Sequence, residues 1–125
     1  EMTLKLTLKP GEAVYIGLTR LTVVSGATCT VLVDGNAPVL RSNEMVADTC
    51  VDLLDQYRYL LQQMYLSGDS RLMLDYVDVT GRLAREMPAL SDAIFAANSK
   101  VRDGRLYDAI KIVNRYVAPR ASTAA

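Results

Sequence analysis

Leu4, Leu6 and Leu8 alternate with Thr3, Lys5, Thr7 and Lys9 near the head of the chain, and no other feature limits the fold so tightly. A period of two puts the three leucines on one face of a strand and the two lysines on the other. Burying one such leucine is worth roughly 1.5 to 3 kcal/mol, so the row requires a cover. A strand module of this size rarely holds a core alone, which predicts that helices further along the chain, or a second copy, lie over the row. Pro10 removes a backbone donor and Gly11 admits a positive φ, so the chain should reverse there. AVYIG at 13–17, RLTVV at 20–24, TCTVLV at 28–33 and APVLR at 37–41 continue the strand pattern. Asp34-Gly35 is the strongest short hairpin signal, and Pro38 belongs at a strand start or sheet edge. Residues 1–45 therefore read as a five-stranded antiparallel sheet or small barrel.

From Asn43 the period becomes helical. Thr49 and Asp52 resemble a capping box with the shorter acid, and Leu53, Leu54, Tyr57, Leu60, Leu61 and Met64 follow at helical spacing, which predicts a helix over about 50–66. Gly68 suits its end, and Asp69 or Ser70 the next start. Leu72, Tyr76, Val79, Leu83 and Met87 form a second stripe that stops near Pro88. Ser91 reads as the cap of a third helix carrying Ile94, Phe95 and Val101, ended by Gly104; LYDAIKIVNRYV makes a fourth, with Leu106, Ile110, Val113 and Val117 on one side. Residues 46–118 read as a four-helix bundle of two antiparallel pairs, and 119–125 as a disordered tail. The fold class is α+β.

The inventory argues against catalysis. There is no histidine, so the commonest general base is missing, and the glycines of the first half punctuate strands rather than open a helix as a phosphate loop requires. Asp52/Asp55 and Asp75/Asp78 stand at i, i+3, where oxygen ligands for a hard cation or a plain solvated face both fit. Cys29 and Cys50 have no third soft partner, so no zinc is expected; they read as buried thiols. No metal or cofactor is implied. Nothing approaches a membrane-spanning run of about 18 apolar residues, and no leader pattern precedes the first strand, so a cytoplasmic protein is expected.

Fourteen basic and fourteen acidic residues give no net charge, so any contact with a polyanion must be local. Lys5, Lys9, Arg20 and Arg41 sit at strand or strand-edge positions, and pairing of the first and last strands would gather them for a phosphate backbone. Polar decoration of a solvated face would use the same residues. Lys100, Arg102, Arg105, Lys111, Arg115 and Arg120 stand against Asp103 and Asp108, either as a cation bias at helix ends or as a docking patch for an acidic partner or RNA. Among seven tyrosines, Tyr57, Tyr65 and Tyr76 fall on or beside apolar stripes as core, while Tyr15 and Tyr59 suit exposed contacts.

LTLKPGEAVYIG, DGNAPVLRSNEM, QQMYL and GRLYDAI together resemble the FlbT family of flagellar biosynthesis regulators over nearly the whole chain. The family has a similar LKPGE opening, an ILREKDI-like segment and a QMMYL-like helix. The resemblance implies post-transcriptional repression in bacterial flagellum biogenesis: binding of the 5′ untranslated region of flagellin messenger RNA, with decay of the message or a block to its translation. The first 45 residues also look like the carbon storage regulator family of RNA-binding proteins. There Lys9 falls on a first-strand arginine and Arg41 on the last-strand arginine, which implies an RNA-binding surface at Lys5, Lys9, Arg20 and Arg41 and a homodimer through the strand module. Leu8 stands at the other first-strand arginine position, RSNEM replaces the basic REKDI, and TCVDLLD brings acids where bases are usual. These departures, the zero net charge and four amphipathic helices support an alternative: an adaptor or chaperone-like partner of flagellin or another flagellar regulator, using Lys100, Arg102, Arg105, Lys111 and Arg115.

Overall fold

A computed structural model describes residues 3–124, with side chains described over 3–117. The chain divides into two compact units, one ending at Met45 and one starting at Val46.

The first unit holds β1 (Thr3–Leu8), β2 (Ala13–Ile16), β3 (Thr19–Thr22), β4 (Cys29–Asp34) and β5 (Val39–Arg41). The five antiparallel strands that the sequence suggests as one sheet or a small barrel are divided between two antiparallel sheets, β1–β4 and β3–β2–β5. Only the two-residue turn at Gly17 and Leu18 closes a hairpin, joining β2 to β3. At Pro10-Gly11, with Gly11 at φ 80°, and again at Asp34-Gly35, the chain turns but crosses to the other sheet. The hairpin expected at Asp34-Gly35 is therefore absent, and β1 does not pair with β5. Pro38 sits just before β5, where its missing N–H costs no ladder bond.

This crossing supplies the cover that the leucine row demands. In β1–β4, Leu6 lies opposite Val31 and Leu8 opposite Cys29, and cross-strand partners share a face. In the other sheet Val14 lies opposite Leu21 and Arg41, and Ile16 opposite Val39. Leu6, Leu8, Val14 and Val23 form one buried cluster, with Cys29, Val31, Val33 and Val39 packed against it. The two sheets thus bury each other's apolar rows, within the unit itself. Leu4, at the row's outer end, stays 44% exposed.

The second unit contains α1 (Leu53–Ser67), α2 (Met73–Glu86), α3 (Ser91–Arg102) and α4 (Leu106–Ala124). α1 packs on α2 and on α4, and α3 packs on α4. Asp52, and not Thr49, caps α1: its carboxylate accepts from the Leu54 and Asp55 N–H groups. Gly68 closes α1 in the left-handed region at φ 67°. Asp69 caps a single 3₁₀ turn ahead of α2 by accepting from the Arg71 N–H. Ser91 caps nothing; its hydroxyl donates to the Pro88 carbonyl. Leu54, Tyr57, Leu61, Tyr76, Leu83 and Val113 are buried as their spacing requires. Tyr65 is half-buried, as are Tyr15, Tyr59 and both cysteines, so neither the exposed tyrosine contacts nor fully buried thiols are present. The α4 backbone continues into the stretch 119–125 that the sequence suggests is a disordered tail; side chains from 118 on, and Ala125 entirely, lie outside the described residues.

Candidate functional site

β5 places Arg41 opposite Val14, so its side chain starts on the face that meets the other sheet. From there its guanidinium crosses the gap. Nη1 donates to the Thr7 carbonyl at 3.3 Å and lies 3.7 Å from the Glu12 carboxylate. The other Glu12 oxygen accepts from the Lys9 N–H at 2.7 Å, a bond that tightens the Pro10-Gly11 turn. The Lys9 backbone and the Arg41 guanidinium therefore meet around one acid; the pairing of first and last strands that the sequence suggests would bring the two cations together is absent, and side-chain reach from the other sheet takes its place. The Arg41 N–H also donates to the Glu44 carboxylate at 3.0 Å, capping a one-turn 3₁₀ segment over Ser42–Glu44.

Lys5 lies within β1. It is exposed, on the outward face opposite Leu32, itself 61% exposed. Strand rise separates Lys5 and Lys9 by roughly 13 Å along the chain, with Thr7, whose carbonyl accepts from Arg41, between them in sequence. Arg20 stands apart from them. It pairs with Tyr15 across from Leu40, so it stands on the opposite face from Arg41 and on the far strand of its sheet. Of the four expected cations, Lys5 thus stands on β1, Lys9 directly after it, and Arg41 reaches the Thr7 carbonyl of β1 from the other sheet. Glu12, which links the last two, is legible in the sequence only as the residue after Pro10-Gly11.

The second basic group is spread around the α3–α4 turn, where Gly104 takes φ 75°. Arg105 pairs with Asp108 at 2.6 Å, and the Lys111 ammonium lies 5.6 Å from the Tyr107 ring centre, which in turn meets Tyr65 at 5.7 Å. Arg102 and Arg115 are exposed and Lys100 is half-buried. Arg58, which no sequence pattern singles out, ties α1 to α4: Nε donates to Asn114 at 3.1 Å and Nη1 to Asp55 at 3.0 Å.

Burial, reinforced by the nearby Asp55 carboxylate, pushes the Cys50 thiol up, which keeps it protonated and a poor nucleophile. The Arg71 hydrogen bonds pull the Asp69 carboxyl below its ordinary value. Among the described residues no three His, Cys, Asp or Glu side chains form a group able to hold a metal ion. No helix among them is long and apolar enough to cross a membrane.

Comparison with known proteins gives a consistent picture. The family model described as flagellar protein FlbT matches residues 4–120. A probable flagellum biosynthesis repressor protein FlbT of Rhodopseudomonas palustris, in each of two strains, is 31% identical over 112 residues, which cover 88% of this chain and 88% of the relative. The probable flagellum biosynthesis repressor protein FlbT 1 of Bradyrhizobium diazoefficiens is 28% identical over 120 residues, 94% of this chain and 82% of the relative. These matches do not extend to the carbon storage regulator family. No solved structure matches.

Proposed function

The chain belongs to the FlbT family of flagellar proteins, and on that premise we propose that it is a cytoplasmic repressor of flagellum biosynthesis acting after transcription. It binds the 5′ untranslated region of flagellin messenger RNA and promotes decay of the message or blocks its translation. The relatives' names supply the flagellar and repressive halves of this reading. The RNA half is supported by one observation: exposed Lys5 and Lys9 lie on and just after β1, and the Arg41 guanidinium is anchored on the Thr7 carbonyl of the same strand. A row of this kind suits successive phosphates of a single strand. With no net charge on the molecule, affinity has to come from these contacts and not from a general field.

The test is binding of a flagellin leader RNA at low and at physiological salt. The expected result is a complex that weakens as salt rises and is lost in Lys5→Ala/Lys9→Ala, whose side chains are exposed and whose removal leaves the fold intact by circular dichroism. A leader that does not bind, or binds the double variant as well as the parent, overturns the RNA reading.

A further inference from the structure

Phe95 is the chain's one phenylalanine, and although its position suggests a place in the apolar stripe of α3, it is 76% exposed. It borders a groove of about 600 Å³ between α2 and α3, where Val77 is 60% and Met73 40% exposed. An uncovered apolar strip of this kind on a folded surface marks an interaction site. The floor is fixed. The Tyr76 hydroxyl bonds the Asn98 side chain and lies 3.2 Å from the buried Tyr57 hydroxyl, and Thr80 donates to the Tyr76 carbonyl at 2.7 Å. A docking partner meets a preformed surface and orders little on arrival.

The pattern along α3 says what that partner is. Asp92, Phe95, Ser99 and Arg102 follow at i, i+3, i+7 and i+10, all four exposed, so they lie on one stripe of the helix. Asp92 and Arg102 are equally far from Ala97 in the sequence, one acid and one base, and neither has an ion-pair partner among the described residues. Phe95 and Ser99 are also equally far from it, one large and one small. A twofold axis passing Ala97 would set this stripe antiparallel against its own copy. Asp92 would meet Arg102 twice, and each Phe95 would enter the space left by the opposite Ser99 beside Val77. Self-complementarity about a point is what an isologous contact requires, and a partner of unrelated sequence would not call for it.

We propose that the α2–α3 face is the site at which two copies of this chain associate about a twofold axis, with Phe95 as the apolar anchor and Asp92 and Arg102 as reciprocal ion pairs. The proposal is independent of RNA binding. Sedimentation of the full chain between roughly 1 µM and 1 mM should show a monomer–dimer equilibrium. Asp92→Arg alone and Arg102→Asp alone should each weaken it at least about tenfold, by setting like charges together, and Phe95→Asp should abolish it. Mixing the two charge variants restores both ion pairs at once, so an equimolar mixture should dimerise as the parent does. All three side chains are exposed, and unchanged circular dichroism and melting would show that the variants fold. A chain that stays monomeric throughout, single variants that dimerise as tightly as the parent, or a mixture that fails to recover would each overturn the proposal. The same holds if the face captures only an amphipathic helix of another protein.

Discussion

Glu12 links the Lys9 backbone, the Pro10-Gly11 turn and the Arg41 guanidinium through its two carboxylate oxygens, so it and Arg41 belong to the fold before they belong to any ligand. Glu12→Ala and Arg41→Ala should each lower stability by about 1 kcal/mol, an amount set by partly exposed charge-assisted bonds and measurable by urea denaturation. Arg41→Lys keeps the charge but not the planar fork that reaches both Thr7 and Glu12, so it should recover only part of that loss. RNA binding by Arg41 variants therefore mixes contact with stability, which is why Lys5 and Lys9 make the cleaner test. Cys50 offers a second check at this scale. With its thiol pushed up by burial and by Asp55, it should alkylate with iodoacetamide at pH 7 more slowly than a free cysteine peptide, and reach the peptide's rate on unfolding in urea. Alkylation at the peptide rate in the folded protein would show that the thiol is not protected.

Helices and strands were legible to different depths. The helices announce themselves by their apolar spacing, α1 and α3 also by a glycine at their ends and α2 by the proline that follows it, with the start of α1 displaced by a few residues because Asp52, not Thr49, has the backbone geometry to accept from two N–H groups. Phe95 shows the limit of periodicity: a stripe position is a place on a helix face, and whether anything covers that face depends on neighbours that the spacing does not name. The α1–α2 contact also carries a titration. Burial holds the Tyr57 and Tyr76 hydroxyls protonated beyond the ordinary tyrosine value of 10.0, and the two rings stack at 5.5 Å. In the unfolded chain both ionise near their ordinary value, so this contribution is fully present below about pH 10 and declines as pH rises above it. Thermal melts from pH 8 to 11.5 should show that decline. Tyr57→Phe should flatten it while costing about 1 kcal/mol at neutral pH for the lost hydroxyl bond; an unchanged alkaline slope would rule out Tyr57 as its source.

At the scale of the molecule, equal numbers of acids and bases leave the proposed RNA contact to a few side chains. Single strands lose affinity with salt at about 0.7 logarithmic units per neutralised phosphate, so three contacts predict a slope on the order of −2 in a plot of log K against log salt. A much steeper slope, measured by titrating leader RNA at several salt concentrations, would mean that the α3–α4 basic residues also engage. By itself the sequence determined that strands precede helices, that the division falls near residue 45, and where turns and helix ends lie, because these follow from periods of two and 3.6 and from the backbone habits of glycine and proline. It could not determine which strand lies beside which, since a two-residue period marks a face without naming its neighbour. The tertiary structure decided that β1 and β5 enter different sheets and that the leucine row is covered by the sheet opposite. It also brought Arg41 to Thr7 across more than thirty residues of chain, because burying two apolar rows against each other is worth more than extending one ladder.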